Sequence, residues 1–306
     1  MENIVVLMSL YNGSKYLKEQ IDSIINQNDV NIKLIIRNDG SSDNSVEIIN
    51  EYIKTNDNIL LINDKNIGLA KSFMNLVYYA KLDYDYYCFA DQDDVWEDNK
   101  LISGINLIKD KNIPTLYASN QTLVDENLKL IDIRYKNNPD VSYKQIISNN
   151  LIAGCTFVWN KQLQALLIDD KRKPSDELLK KRIHDVWVAS VASTCGEIVY
   201  DKNSYINYRQ HSNNVVGVRK NSKIKTFIKK FKDPDLRCGR SLIAYELFNK
   251  FNDVLINDEI KHELDMLGNY KTNKAYKKEL LKKIQYREYN SESKFEYKFK
   301  IRHKFF

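Results

Sequence analysis

Residues 86–94 read Tyr-Tyr-Cys-Phe-Ala-Asp-Gln-Asp-Asp. The first five have the continuous apolar character of a strand buried on both faces, and the last four set three carboxylates at its end. Carboxylates this close repel and raise one another's pKa unless something cationic sits between them. The stretch therefore predicts a buried strand at Tyr86–Ala90 that delivers an acidic cluster to a bound positive charge. Three similar strands precede it. Ile4–Ser9, Ile32–Ile36 and Ile59–Ile62 are continuous apolar runs. They alternate with segments of helical period: Leu17, Ile21, Ile24 and Ile25 after a Ser14 cap, Val46, Ile49 and Ile53 after Asp43 or Ser45, and Leu69–Ala80. This alternation predicts an α/β fold with a mostly parallel sheet covered by helices on both faces. Ligands of such sheets bind outside the carboxyl ends of the strands. Those ends carry Ser9-Leu10-Tyr11-Asn12-Gly13, Asn38-Asp39-Gly40-Ser41-Ser42-Asp43 and Asp91-Gln92-Asp93-Asp94, so three polar segments are expected along one edge.

A chain of 306 residues with 43% hydrophobic content buries a sizeable core, which excludes a disordered protein. Met1–Met8 lacks a basic flank and reads as a first strand, and no run approaches the ~18 apolar residues of a membrane span. The four cysteines are scattered, without a Cys-x-x-Cys pair, which fits reduced thiols in a cytoplasmic protein. Charge is uneven. Residues 220–306 hold 22 Lys and Arg against 12 Asp and Glu, whereas residues 1–219 are mildly acidic. Residues 121–219 are less regular, with one helix expected around Ile183–Ser193. From 220 onward the pattern is helical and basic: Ile224, Phe227, Ile228 and Phe231 share a face between lysines, and Leu242–Phe251 follows. A basic tail of this kind meets phosphates on a membrane surface or nucleic acid, or else is a solvated or self-associating face.

Several constellations carry chemistry, each beside a plainer alternative. Asp91-Gln92-Asp93-Asp94 suits Mg²⁺ or Mn²⁺ held by carboxylates, water and phosphate oxygens, or forms an acidic turn before a helix near Asn99. Asp39, at a Gly-containing strand end, can accept a hydrogen bond from a nucleotide base, or the segment is an Asx turn with Asp43 as cap. Lys71 either neutralises a diphosphate or is a surface lysine. Asp185, between His184 and Val186-Trp187, is a general base or a helix-capping residue with Trp187 in the core. Tyr208-Arg209-Gln210-His211-Ser212-Asn213-Asn214 gathers donors that can fold over a phosphate, with His211 offering a metal nitrogen.

The ordered set resembles a family 2 glycosyltransferase over residues 3–219. It runs Ser9-Leu10-Tyr11-Asn12-Gly13, Asn38 to Asp43, Asn66-Ile67-Gly68, Asp91-Gln92-Asp93-Asp94-Val95-Trp96, Gly154-Cys155-Thr156, His184-Asp185-Val186-Trp187 and Tyr208-Arg209-Gln210-His211. Five of the nine glycines fall in these segments or just beyond the last of them, where backbone must approach ligand. The last two motifs are most similar to those of bacterial rhamnosyltransferases of surface polysaccharide synthesis. The resemblance implies the A-type glycosyltransferase fold, a Rossmann-like sheet, here with a basic, mainly helical C-terminal extension. It implies a catalytic domain at 1–219, with a nucleotide-binding half at 1–120 and an acceptor-binding half at 121–219, and a helical region at 220–306.

Carried over residue by residue, the resemblance assigns Ser9, Tyr11, Asp39, Lys71 and Asp91 to the nucleotide, and Asp93, Asp94 and His211 to Mn²⁺ or Mg²⁺. Arg209 and Asn214 fall to the diphosphate, Gly154, Cys155, Thr156, His184 and Trp187 to the donor and acceptor sugar pocket, and Asp185 to the catalytic base. Asn38 stands where the family has its first acidic residue, and the Gln-x-x-Arg-Trp signature of processive synthases is absent. The expected reaction is inverting, metal-dependent transfer of one sugar, L-rhamnose from dTDP-rhamnose, to a glycan or lipid-linked acceptor. UDP-glucose or UDP-galactose is the other donor class. A non-catalytic nucleic-acid-binding protein explains the tail but not the acids at three strand ends. The enzyme is expected in the cytoplasm, peripheral at the anionic inner face of the membrane, with homo-oligomerisation through the C-terminal helices.

Overall fold

The computed structural model describes residues 1–211 and 238–306. The chain forms two compact units. One takes Met1–Pro139, Ile152–Ile168 and Glu197–Val218, the other Asp140–Leu151, Asp169–Gly196 and Arg219–Phe306.

The first unit is built on one sheet. Its described strands are β1 (Glu2–Leu10), β2 (Val30–Asp39), β3 (Ile59–Asp64), β4 (Tyr86–Ala90), β5 (Val95–Trp96), β6 (Thr115–Val124), β7 (Leu130–Ile133), β8 (Val158–Asn160) and β9 (Glu197–Arg209). They lie in the order β3-β2-β1-β4-β8-β6-β9-β5, with β7 beside β6. Strands β1 to β4 are mutually parallel, as their unbroken apolar runs require of a sheet covered on both faces. Ile4 to Met8 are fully buried. Strand β8 runs antiparallel to β4 and β6, which restores the first direction for β6 and β9.

Helices α1 (Leu17–Ile25), α2 (Ser45–Ile53) and α3 (Leu69–Ala80) connect the first four strands, and α4 (Lys100–Ile108) follows the acidic cluster. Helix α1 begins after Tyr16 rather than at the expected Ser14 cap, and the Ser14 N–H donates to the Asp43 carboxylate at 3.0 Å. Register sets the polar strand ends level: Leu10 lies opposite Asn38, Met8 opposite Ala90 and Asp39 opposite Asp64. The chain order reverses between β1 and β4, which opens a crevice at their carboxyl ends.

Between β7 and β9 the chain leaves the sheet twice. Helix α5 (Tyr143–Ser148) joins the second unit, α6 (Lys161–Ile168) returns to the sheet, and α7 (Asp176–Lys181) and α8 (His184–Cys195) leave again. Helices α9 (Gly239–Phe251), α10 (Asp258–Asn269), α11 (Lys274–Leu280), α12 (Gln285–Glu288) and α13 (Lys294–Arg302) complete the second unit. The expected boundary at 219 thus differs from the compact units, since residues 140–151 and 169–196 pack with the C-terminal helices. The reason lies in α8. Val186 to Ala192 are buried around its circumference, and a helix apolar on every side needs other helices about it. Trp187 packs edge-on against Phe251 of α9 at 5.7 Å. The expected helical face Ile224 to Phe231 lies outside the described residues.

Candidate active site

The carboxyl ends of β1 and β2 are stitched into one surface by short polar side chains. The Asn12 N–H donates to Ser41 Oγ at 3.0 Å, the Ser42 N–H to Asn12 Oδ1 at 2.8 Å, and the Gly13 N–H to Ser45 Oγ at 3.1 Å. The end of β4 is joined to β1 by Gln92. Its amide forms a two-way pair with the Tyr11 backbone: Tyr11 N–H to Gln92 Oε1 at 2.8 Å, and Gln92 Nε2 to Tyr11 O at 3.1 Å. A Cβ on Gly13 would sit 2.6 Å from Gln92 Cδ, so glycine leaves the room this clamp occupies. The Tyr11 ring stands 51% exposed beside it.

Asp39 and Arg37 lie two apart on β2 and so share a face. The Asp39 carboxylate is buried and accepts from the Arg37 guanidinium, from the Ile67 N–H at 2.9 Å and from the Gly68 N–H at 3.0 Å. Gly68, at φ 85°, supplies the left-handed turn that brings the start of α3 onto that carboxylate. Arg37 also donates to Ser72 Oγ at 3.3 Å and Asp64 Oδ2 at 3.1 Å, and Ser9 Oγ donates to Ser72 Oγ at 2.6 Å. Ser9 and Asp39, expected at the nucleotide, are thus both engaged inside the protein. Lys71 is the third residue of α3 and half-buried.

Within the acidic loop the carboxylates diverge. Asp93 Oδ2 meets His211 Nε2 at 2.8 Å. Asp94 is 0% exposed, accepts the Arg209 N–H at 3.1 Å, and lies with Asp91 and Cys155, their ligand atoms within 4.8 Å of one another. Burial, then the charges of Asp93 and Asp91, drives the Asp94 pKa well above the carboxylate range. Among the described residues Asp94 thus groups with Asp91 and Cys155 and Asp93 pairs with His211, so the expected trio Asp93, Asp94 and His211 is not found as one cluster.

The donor atoms fit a hard divalent cation in part. Asp94 Oδ2 is buried without a hydrogen-bond partner among the described residues, beside Asp91, and Asp93 and His211 form an oxygen and nitrogen pair at the same strand end. Cys155 is a soft sulfur donor and a poor match for a hard cation, and burial, with the charges of Asp94 and Asp91 next, pushes its thiol pKa well up.

Arg209, expected on the diphosphate, does other work in the structure. It is 2% exposed. Its guanidinium donates to Asp93 O at 2.9 Å, to Glu126 O at 2.5 Å and to the Glu19 carboxylate, and lies 4.3 Å over the Tyr16 ring. A buried guanidinium requires such acceptors, and here one, Asp93 O, belongs to the acidic loop while the others come from the turn after β6 and from α1. Gly154, Cys155 and Thr156, expected in the sugar pocket, form a buried single turn: Gln121 Nε2 contacts Cys155 Sγ at 3.2 Å, and Thr156 Oγ1 donates to Ala153 O at 2.8 Å.

His184, Asp185 and Trp187 belong to the second unit. Trp187 is a core residue there, its ring wholly buried, instead of a lining of the sugar pocket. His184 is buried too, and burial lowers its pKa to about 3. Asp185 lies in the first turn of α8, half-buried, with Oδ1 accepting the Val186 N–H at 2.6 Å. Asn214 lies outside the described residues. No motif marks the roles of Gln92, Arg37, Glu19 and Tyr16, but an arginine inside the buried strand Ile35-Ile36-Arg37 is a signal, since a buried guanidinium demands a carboxylate partner.

Comparison with known proteins agrees with this architecture. The family model for glycosyl transferase family 2 matches residues 5–159. The dTDP-rhamnosyl transferase RfbG of Shigella flexneri is 32% identical over 71% of this chain and 76% of its own length. Two solved structures share the fold at low identity. TarS 1–349 of S. aureus in complex with UDP-GlcNAc has a TM-score of 0.58 at 15% identity, covering 99% of this chain and 92% of that one. The mannosyltransferase PcManGT of Pyrobaculum calidifontis, in complex with GDP-Man and Mn²⁺, has a TM-score of 0.51 at 13% identity, covering 98% and 86%. Strand order, polar strand ends and sequence kinship converge, and the chain belongs to glycosyl transferase family 2, whose members move a sugar from a nucleotide-sugar donor.

Proposed function

We propose that this glycosyltransferase performs metal-dependent, inverting transfer of a single L-rhamnose from dTDP-rhamnose to a glycan or lipid-linked acceptor in surface polysaccharide synthesis. The observation that carries the site is the 2.8 Å contact of Asp93 with His211, at the strand end that Gln92 ties to the backbone of the exposed Tyr11. The choice of rhamnose rests on kinship with the Shigella flexneri rhamnosyl transferase.

In this reading Tyr11 stacks on the base, and Lys71, near the start of α3, faces the diphosphate. Asp93 and His211 would hold the Mn²⁺ or Mg²⁺, Asp91, next to Asp94, faces the nucleotide, and Asp94 and Arg209 keep their loop in place. The cation, when bound, neutralises charge growing on the diphosphate leaving group. Asp185 takes the proton from the acceptor hydroxyl as its oxygen attacks the anomeric carbon, and the nucleoside diphosphate leaves from the opposite face.

The reading is tested by thermal stabilisation with a panel of nucleotide sugars, with and without Mn²⁺. A donor that binds only the folded state raises the melting temperature. dTDP-rhamnose is expected to stabilise most in Mn²⁺ and to lose that effect in excess EDTA or in Asp93→Asn. Equal stabilisation with EDTA present removes the metal, and preference for a UDP-hexose removes rhamnose. Asp185→Asn is expected to bind donor normally and turn over roughly 10²-fold more slowly. Turnover at the wild-type rate removes the base.

A further inference from the structure

The second unit is basic in composition, and some of its acid is held in ion pairs inside it. Glu292 is buried between Arg240 and Lys300, the latter at 2.7 Å, and Glu296 is held by Lys300 at 2.8 Å. Glu263 is held by Lys283 and the Tyr286 hydroxyl. Around α13 the outward charge is positive: Lys294, Arg302, His303 and Lys304 are exposed and Lys298 is half-buried.

A row of rings runs through this charge. Phe295 is 77% exposed. It stacks on Phe299 at 6.1 Å and 28°, and Phe299 meets His303 at 4.2 Å and Phe305 at 6.3 Å. Phe295, Phe299 and His303 are spaced by four and so follow one face of the helix. Tyr297 and Ile301 are buried on the other side. A phenylalanine held at this exposure gains little from burial in the fold, whereas an aromatic row flanked by lysine and arginine matches the boundary between anionic headgroups and acyl chains.

We propose that this face of α13 is a docking surface for an anionic phospholipid bilayer. Phe295 enters the interface, and Lys294, Lys298, Arg302 and Lys304 meet the headgroups. A single-stranded nucleic acid also seeks basic charge and aromatic rings, but it needs ring faces open for base stacking. Here Phe295 and Phe299 turn faces toward each other. The inference is independent of which sugar or metal the enzyme uses.

The test uses the full chain and extruded vesicles of phosphatidylcholine with and without about a third phosphatidylglycerol. The protein is expected to sediment with the anionic vesicles only, and less in high salt. Phe295→Ser and the charge reversal Lys294→Glu/Lys298→Glu are each expected to weaken partitioning, the latter by roughly tenfold or more, since each basic residue near the surface is worth about fivefold. Emission of a Phe295→Trp variant is expected to shift to the blue on anionic vesicles. Wild-type partitioning by Phe295→Ser overturns the proposal. So does unshifted emission, or a shift produced by single-stranded DNA and not by vesicles.

Discussion

Replacing Arg209 by Met tests whether this residue braces the acidic loop or binds the diphosphate. The change removes three guanidinium hydrogen bonds and the contact over Tyr16. Two of the acceptors, Asp93 O and Glu126 O, lose a buried donor, at ~1–3 kcal/mol each. The lost cation–π contact adds ~0.5–2 kcal/mol. Glu19 is 54% exposed and regains water, so its share stays under about 1 kcal/mol. The sum is roughly 3–9 kcal/mol, a large part of the ~5–15 kcal/mol that holds a domain folded. Urea unfolding should show this loss, with Glu19→Gln near wild type and Arg209→Lys between. Calorimetric titration should show weakened Mn²⁺ affinity while metal-free nucleoside diphosphate binds as before. A Met variant of wild-type stability whose metal-free nucleotide affinity drops tenfold refutes the bracing role.

Gly13→Ala forces a Cβ to within 2.6 Å of Gln92 Cδ and 2.9 Å of Leu10 Cδ1, so the Gln92 clamp must open. We expect ~1–3 kcal/mol of destabilisation and a raised KM for the donor, checked by calorimetry and initial rates. His184 titrates near its usual value of 6.5 when unfolded and at about 3 when folded, because burial disfavours its charge. The unfolded chain therefore binds the extra proton, and the stability gained by neutral His184 is complete above pH 6.5 and lost as pH falls toward 3. The slope is roughly 1.4 kcal/mol per pH unit within that window. His184→Gln should flatten this acid limb in urea midpoints taken between pH 7 and pH 4.5, and an unchanged limb shows that His184 does not carry it.

The first half of the fold was legible because continuous apolar strands and helices of 3.6 period leave little choice of architecture. The expected strand Tyr86–Ala90 and helix Leu69–Ala80 match β4 and α3 to the residue. The roles of site residues were less legible. Asp93 and Asp94 are identical in chemistry and adjacent in sequence, yet one meets His211 and the other is sealed against Asp91 and Cys155. Arg209 sits in a motif rich in donors, and nothing local shows that its acceptors come from α1 and from the turn after β6.

By itself, the sequence determined the order of the first four strands and three helices, the acidic end of β4 and the basic character of the C-terminal region, which follow from short-range period and composition, and its ordered motifs pointed to the family. Tertiary structure alone decided that residues 140–151 and 169–196 pack with the C-terminal helices, that Trp187 is core, and that Arg209 faces inward. These depend on which distant groups meet when apolar faces are buried and buried charges find partners, and no local pattern encodes that meeting.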